Sequence, residues 1–311
     1  MFVPPHPALA GDFDIAFSFL VKSDNTRGAL LMATSMLAFV LNDGLMKYLF
    51  SDMNLYQALF LRGALTVPLI MAIAFYRNQL FAKIDARNWK ILAVRIFAEV
   101  GATIFFLNAL RAMPLANLTA ILQALPLAVT MAAALFLGAA VGWRRWTATC
   151  VGFIGVLIIV RPGMEGFSTA SLYALAAVGF VTLRDISTRQ LSPEVPSLLV
   201  ALLTAICVML LGLVMVPTIV WLTPTPFHWL VLSGTAASII WGYLFSVMAM
   251  RVGDISFVAP FRYTAMVFAI TLGFLMFGEW PDELTLLGTG MVVATGIYSF
   301  HRESVRNRRA G

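Results

Sequence analysis

Residues 37–49, LAFVLNDGLMKYL, set an acid and a base, Asp43 and Lys47, four positions apart inside an apolar run, and residues 179–190, GFVTLRDISTRQ, repeat the spacing with Asp185 and Arg189. Both separations are 142 residues (185 − 43 and 189 − 47). Arg111 with Arg251, Ala109 with Ala249 and Gly138 with Gly278 lie 140 apart, so further marks recur at nearly the same offset. The chain reads as one unit written twice, with charges at matching depths in apolar segments.

The composition is 60% hydrophobic and 12% charged with mean hydropathy +0.89, whereas soluble domains carry about a quarter charged residues. A hydrocarbon core takes about 20 apolar residues per helical crossing. The expected class is therefore an all-α polytopic membrane protein. Apolar runs between polar breaks fall at 28–49, 55–76, 89–109, 115–138, 146–161, 170–190, 197–220, 227–250, 255–277 and 284–301. They predict ten transmembrane helices. The 146–161 run is short, and without it the count would be nine and the repeat parallel rather than inverted.

The organisation expected is an N-terminal cytoplasmic segment 1–27, a first five-helix unit 28–161, a second 170–301 and a basic cytoplasmic tail 302–311. Residues 1–27 do not read as a signal peptide, because the short run Ile15 to Val21 follows Asp12 and Asp14 rather than basic residues. With both termini in the cytoplasm, Lys47, Arg111 and Arg161 are the basic residues left outside, fourteen fall in the inside loops and ends, and Arg62, Arg95, Arg184 and Arg262 lie within the helices. That imbalance satisfies the positive-inside rule. Five helices per unit is an odd number, so the second unit should run inverted relative to the first.

Setting loops aside leaves Asn42, Asp43, Lys47, Arg62, Arg95, Glu99, Gln123, Arg184, Asp185, Arg189, Arg262 and Tyr263 at membrane depth. A central Asp, Lys or Arg there costs about 2.5–3.5 kcal/mol on insertion scales. Such groups are expected to face one another or a wet cavity. One account is local pairing at i,i+4, Asp43 with Lys47, Arg95 with Glu99 and Asp185 with Arg189. Three acids would then face six bases, an excess that an acceptor-rich ligand would relieve. The candidate substrate-binding residues are Asn42, Asp43, Arg62, Arg95, Glu99, Gln123, Arg184, Asp185, Tyr243, Arg262 and Tyr263, and Glu99 is the candidate proton-exchanging group if a proton or another cation drives the cycle. Pro126 and Pro260 should break the fourth and ninth helices beside Gln123 and Arg262. Trp241, Tyr243, Phe245, Phe105, Phe106 and Phe261 are aromatic candidates for the same region, or simply space-filling.

Several chemistries are not supported. There is no G-x-x-x-x-G-K-[ST] loop for ATP, no basic domain for a nucleic acid, and His6, His228 and His301 lie at ends or loops, away from any metal cluster. No cofactor is expected. Cys150 and Cys207 read as packing residues. An enzymatic alternative is an intramembrane aspartyl protease using Asp43 and Asp185, but a cation at i+4 from each would keep both ionised, where shared-proton catalysis needs one neutral. A channel is the third class.

The segments Ala109-Leu110-Arg111-Ala112-Met113-Pro114-Leu115-Ala116, Leu125-Pro126-Leu127, Leu135-Phe136-Leu137-Gly138 and Gly152-Phe153-Ile154-Gly155-Val156 have counterparts in Ala249-Met250-Arg251-Val252-Gly253-Asp254, Val258-Ala259-Pro260 and Phe277-Gly278-Glu279. On these the chain resembles the EamA type of the drug/metabolite transporter superfamily over nearly its whole length. Family repeats commonly close the fourth helix with Gly-Glu, as at Gly278-Glu279, while Gly138-Ala139 lacks the acid. The opening Arg27-Gly28-Ala29-Leu30-Leu31-Met32, Asn42-Asp43, Leu61-Arg62-Gly63 and Arg184-Asp185 are similar to bacterial riboflavin transporters and S-adenosylmethionine carriers. The resemblance implies a multi-pass carrier of the bacterial inner membrane, not an enzyme, moving a small molecule by alternating access. Riboflavin uptake leads on the excess of donors, with S-adenosylmethionine, amino acids or drugs as alternatives; the oligomeric state is open.

Overall fold

In hydrocarbon every backbone N–H and C=O must be satisfied by the protein's own backbone, which leaves helices or closed barrels. The computed structural model takes the helical solution, describing residues 24–136, 138, 142–162, 168–192, 194–252 and 255–310. Residues 1–23, Leu137, Ala139, Gly253 and Asp254 lie outside the described residues, as do the side chains of Arg251 and of the tail after His301. The helices are α1 (Asp24–Leu49), α2 (Leu55–Tyr76), α3 (Ala86–Ala112), α4 (Leu115–Leu122), α5 (Leu125–Phe136), α6 (Trp143–Val160), α7 (Thr169–Gln190), α8 (Ser197–Met215), α9 (Pro226–Val252), α10 (Ile255–Val258), α11 (Thr264–Phe277) and α12 (Glu283–Ala310). Among the described residues there is no strand.

Each apolar run expected from the sequence is helical, and eight spans are long and apolar enough to cross a bilayer. The 146–161 run falls in α6, whose apolar part Trp146–Val160 is shorter than a full span. Polar side chains begin several helices. Asn54 Oδ1 accepts from Tyr56 N at 3.0 Å, Ser168 Oγ from Ala170 N at 3.2 Å and Asp282 Oδ1 from Thr285 N at 2.8 Å. Partial burial pushes the Asp282 carboxyl up, but the Thr285 N–H and the Arg161 guanidinium outweigh it and hold it below the usual carboxylate range. Gly278 ends α11 in the left-handed region at φ 66°.

Two segments are broken where Pro126 and Pro260 were expected to break them. The fourth divides at Gln123 and Ala124 before Pro126, giving α4 and α5, and the ninth passes from α10 through a 3-10 turn, Ala259–Tyr263, into α11. Proline removes a backbone donor and crowds the preceding turn, which accounts for both positions. The tenth segment continues past 301 to Ala310.

Packing joins the two halves throughout. The main helix pairs are α1 with α9, α3 with α7, α2 with α8 and α6 with α12. Exchanging the halves interchanges the first two pairs and leaves the other two unchanged. Small residues let these helices approach. A Cβ on Gly101 of α3 would stand 2.5 Å from the Phe180 ring of α7, and one on Gly242 of α9 would stand 2.8 Å from the Phe39 ring of α1. These reciprocal contacts are offset by 141 residues on both sides (180 − 39 and 242 − 101). On that register Asp43 corresponds to Arg184 rather than Asp185. The offset of 142 at the charge pairs is therefore a likeness of pattern, not of position.

The α6–α12 crossing is the tightest, since Cβ atoms on Gly155 and Gly288 would lie 2.8 Å and 2.6 Å from the other's carbonyl oxygen. Backbone cannot rotate aside as a side chain can, and overpacking typically costs about 1–3 kcal/mol. Gly290, on the same helix, has nothing within 4 Å. Gly288→Ala should lower the melting temperature in detergent while Gly290→Ala leaves it unchanged or raises it; equal melting temperatures for the two variants would contradict this crossing.

Candidate functional site

Five helices bring charge to one place. α1 supplies Asn42 and Asp43, α2 Arg62, α3 Arg95 and Glu99, α7 Arg184 and Asp185, and α9 Tyr243. Arg62 interacts electrostatically with Asp43, Tyr243 and Glu99, and Arg95 with Glu99, Arg184, Tyr243 and Asp185. The groups therefore form one network.

Within it the contacts are uneven. Arg184 reaches both carboxylate oxygens of Glu99 at 3.4 Å and Asp185 Oδ1 at 2.9 Å. Arg95 donates to two hydroxyls, Thr188 Oγ1 at 3.0 Å and Thr204 Oγ1 at 2.5 Å, and so ties α3 to α7 and α8. Glu99, the candidate proton-exchanging group, is thus held by Arg184. Asp43 accepts a hydrogen bond from Asn42 Nδ2 at 2.9 Å and, among the described residues, is in no ion pair. Arg62 faces it electrostatically without a side-chain contact. Asn42 is 4% exposed and its Oδ1 has no partner. Buried acceptors are normally satisfied, so an open one beside an unpaired acid marks a place for a donor.

The network is not sealed by packing. Tyr243 interacts with Glu99, Arg184, Arg95 and Arg62, which come from three other helices, yet it is 57% exposed. Its ring meets Phe39 edge-on at 5.3 Å. Groups that surround a side chain and still leave it accessible share a space between the helices.

The local ion pairs expected at i,i+4 do not form. Lys47 instead reaches Glu279 Oε1 at 2.5 Å and the Met113 carbonyl at 2.8 Å, lying over the Phe277 ring. Glu279 Oε2 also accepts from Leu115 N at 3.0 Å, at the start of α4. Arg189 is exposed in the last turn of α7. With Lys47, Arg189 and the exposed Arg262 elsewhere, the network holds three acids, Asp43, Glu99 and Asp185, and three bases, Arg62, Arg95 and Arg184. The expected excess of cations is absent. Glu279 was legible only as half of a Gly-Glu motif, and nothing in the spacing linked it to Lys47, 232 residues away.

Three further candidates lie apart from the network. Gln123 Nε2 donates to the Tyr263 carbonyl at 3.4 Å, joining the break of the fourth segment to that of the ninth. The Tyr263 hydroxyl is buried against Gly296 of α12 without a partner, and Arg262 is exposed. Among the aromatics, Phe105 stacks on Phe180 at 5.4 Å, Trp241 meets Phe245 at 5.2 Å, Phe261 meets Phe257 at 5.8 Å and Phe106 packs on the core. An open cavity of about 490 Å³ lies at the end remote from the termini, lined by residues including Asp52, Asn54, Arg111 and Trp221 rather than by the charged network. Cys150 is exposed and Cys207 partly buried, both unpaired. Among the described residues no His, Cys, Asp or Glu group is set to hold a metal.

A bundle of apolar helices around ionised groups from both halves is the build of a membrane transporter. The chain belongs to the EamA-like transporter family, whose model matches residues 26–161 and 168–299. It is 27% identical over 270 residues to an S-adenosylmethionine uptake transporter of Rickettsia felis, covering 84% of this chain and 88% of the relative. It is 26% identical over 294 residues to a riboflavin transporter of Vibrio cholerae, covering 93% and 98%. A pseudopaline exporter of Pseudomonas aeruginosa is 25% identical over 279 residues, covering 87% and 94%. A solved crystal structure superposes on 89% of this chain and 97% of its own with a TM-score of 0.63 at 16% identity, a likeness of fold alone. The family transports and does not catalyse, which disposes of the aspartyl protease alternative.

Removing the shared cation of two acids leaves both uncompensated, and breaking a buried pair costs about 3–5 kcal/mol. Arg184→Gln should therefore lower the melting temperature more than Arg62→Gln, and adding Glu99→Gln should restore part of the loss. A larger loss from Arg62→Gln would contradict the pairing.

Proposed function

We propose that this protein is a secondary carrier of the bacterial inner membrane whose substrate bears both a cationic and an anionic group, held by Asp43 and Arg62. The observation that carries this reading is that Asp43 contacts only its neighbour Asn42 and the Arg62 side chain has no contact partner among the described residues, while the two face each other electrostatically and every other acid or base of the network meets a charged or hydroxyl group. A substrate ammonium or sulfonium on Asp43 and a carboxylate on Arg62 would complete both, the guanidinium taking the carboxylate through two donors. S-adenosylmethionine, named for several relatives, has this chemistry.

The cycle is alternating access between two inverted five-helix units, 28–161 and 170–301, with ten crossings. Segment 1–27 and tail 302–311 lie on the cytoplasmic side with both termini. The exchange-symmetric pairing of α1 with α9 and α3 with α7 supports the two-unit reading, and the distribution of Lys and Arg supports the orientation. Asn42 and Tyr243 adjoin the substrate, with Arg95, Glu99, Arg184 and Asp185 as the charged frame around it. Gln123, Tyr263 and Arg262 belong to the hinge between the broken segments.

Riboflavin is the second reading, favoured by the greater share of the chain that aligns with a riboflavin transporter and by the exposed Tyr243 beside Phe39. The expectation that ranked it first rested on surplus cations, and the balanced network removes that ground.

A ligand at 100 times its Kd stabilises the folded carrier by about 2.7 kcal/mol. In a thermal-shift comparison, S-adenosylmethionine should raise the melting temperature, and Asp43→Asn or Arg62→Ala should abolish the rise while Arg111→Ala keeps it. Stabilisation by riboflavin alone would transfer the assignment to the second reading; a full S-adenosylmethionine shift in Asp43→Asn would remove Asp43 from the site.

A further inference from the structure

The end of the bundle remote from the termini is closed by contacts between the halves. Arg161 pairs with Asp282, His228 Nε2 lies 3.4 Å from Asp52 Oδ2, and the Gln57 amide clamps the backbone of Leu222 through its oxygen and nitrogen. Asp282 and Asp52 are about half exposed, and exposed pairs contribute little. Lys47–Glu279 is different, since the two side chains are 11% and 24% exposed. It also gathers the Met113 carbonyl and the Leu115 N–H, so one contact joins α1, α11 and the turn between α3 and α4.

Lys47 stands one helical turn beyond Asp43, and residues four apart share a face of a helix. Between them Gly44 brings α1 against Met276 of α11 and Leu115 of α4, with Met276 Sδ 3.0 Å from where a Cβ would be. Were α1 to leave α11 at that turn as this end opens, Lys47 would lose Glu279. A poorly solvated ammonium left without an acid is costly. The acid on its own helix one turn away is Asp43, which Arg62 faces without a side-chain contact.

We propose that Lys47 is a latch that exchanges Glu279 for Asp43 as this end of the carrier opens. Substrate cation arriving at Asp43 displaces the ammonium, which returns to Glu279 and closes the end behind the substrate. Occupancy of the central site and closure of the mouth are thereby one event, carried by a single side chain. This rests on the substrate site proposed above, but the exchange between acids is testable without substrate.

The test uses full-length protein in lipid nanodiscs, with Cys150→Ser and Cys207→Ser, and a reporter Ala116→Cys on the buried face of α4. The rate of labelling by a charged maleimide reads opening. Glu279→Gln keeps an acceptor for Leu115 N but removes the charge, so labelling should rise about tenfold, the size of a modest population shift. Adding Asp43→Asn should return the rate to within about threefold of the parent, because Lys47 then gains nothing on opening. Unchanged labelling in Glu279→Gln would overturn the latch. Equally fast labelling of the single and double variants would overturn it as well, since general loosening or another partner for Lys47 gives that result. Loss of substrate binding in Asp43→Asn bears on the site alone, so the two readings fail separately.

Discussion

An ionised group inside a bilayer has no water to fall back on, so its position is tolerable only where a counter-charge, a polar side chain or a wet space meets it. Most of this architecture follows from meeting that condition. Arg184 is satisfied by Glu99 and Asp185, Arg95 by two threonine hydroxyls, and Lys47 by Glu279 and a carbonyl. Each of these contacts except Arg184–Asp185 and Lys47 with the Met113 carbonyl joins the first half of the chain to the second. The charges are thus fastenings as well as features of the site, and what they leave unfastened, Asp43 and Arg62, is what a substrate can use.

The helices were legible because apolar length is a strong signal and hydrocarbon permits few alternatives. Even the breaks were written out, in Pro126 and Pro260. Partner choice was not. Spacing of four residues suggested Asp43–Lys47 and Asp185–Arg189, yet tertiary packing placed Glu279 against Lys47 and left Arg189 at an exposed helix end. A local pair gains only a few tenths of a kcal/mol, so any well-placed acid from another helix can outcompete it. No pattern within α1 reports what α11 will bring.

Duplication was visible in the sequence but its register was not. Charges suggested 142 and the arginine and glycine marks 140, whereas the reciprocal seating of Phe39 on Gly242 and Phe180 on Gly101 gives 141. A slip of one residue turns a side chain by about 100° around a helix of 3.6 residues per turn. That is enough to set Asp43 against Arg184 in the equivalence of the halves. Steric fit of ring into glycine is a firmer guide than charge, because a ring cannot slide along a helix as a long ionic side chain can.

The central claim is that Asp43 and Arg62 are held apart, unpaired, to receive opposite charges of one molecule. An experimental structure of the carrier with S-adenosylmethionine tests it most directly. The account predicts ligand density between these two side chains, with Glu99–Arg184–Asp185 still paired beside it. A direct Asp43–Arg62 ion pair in the loaded protein, with the ligand bound elsewhere, would contradict it.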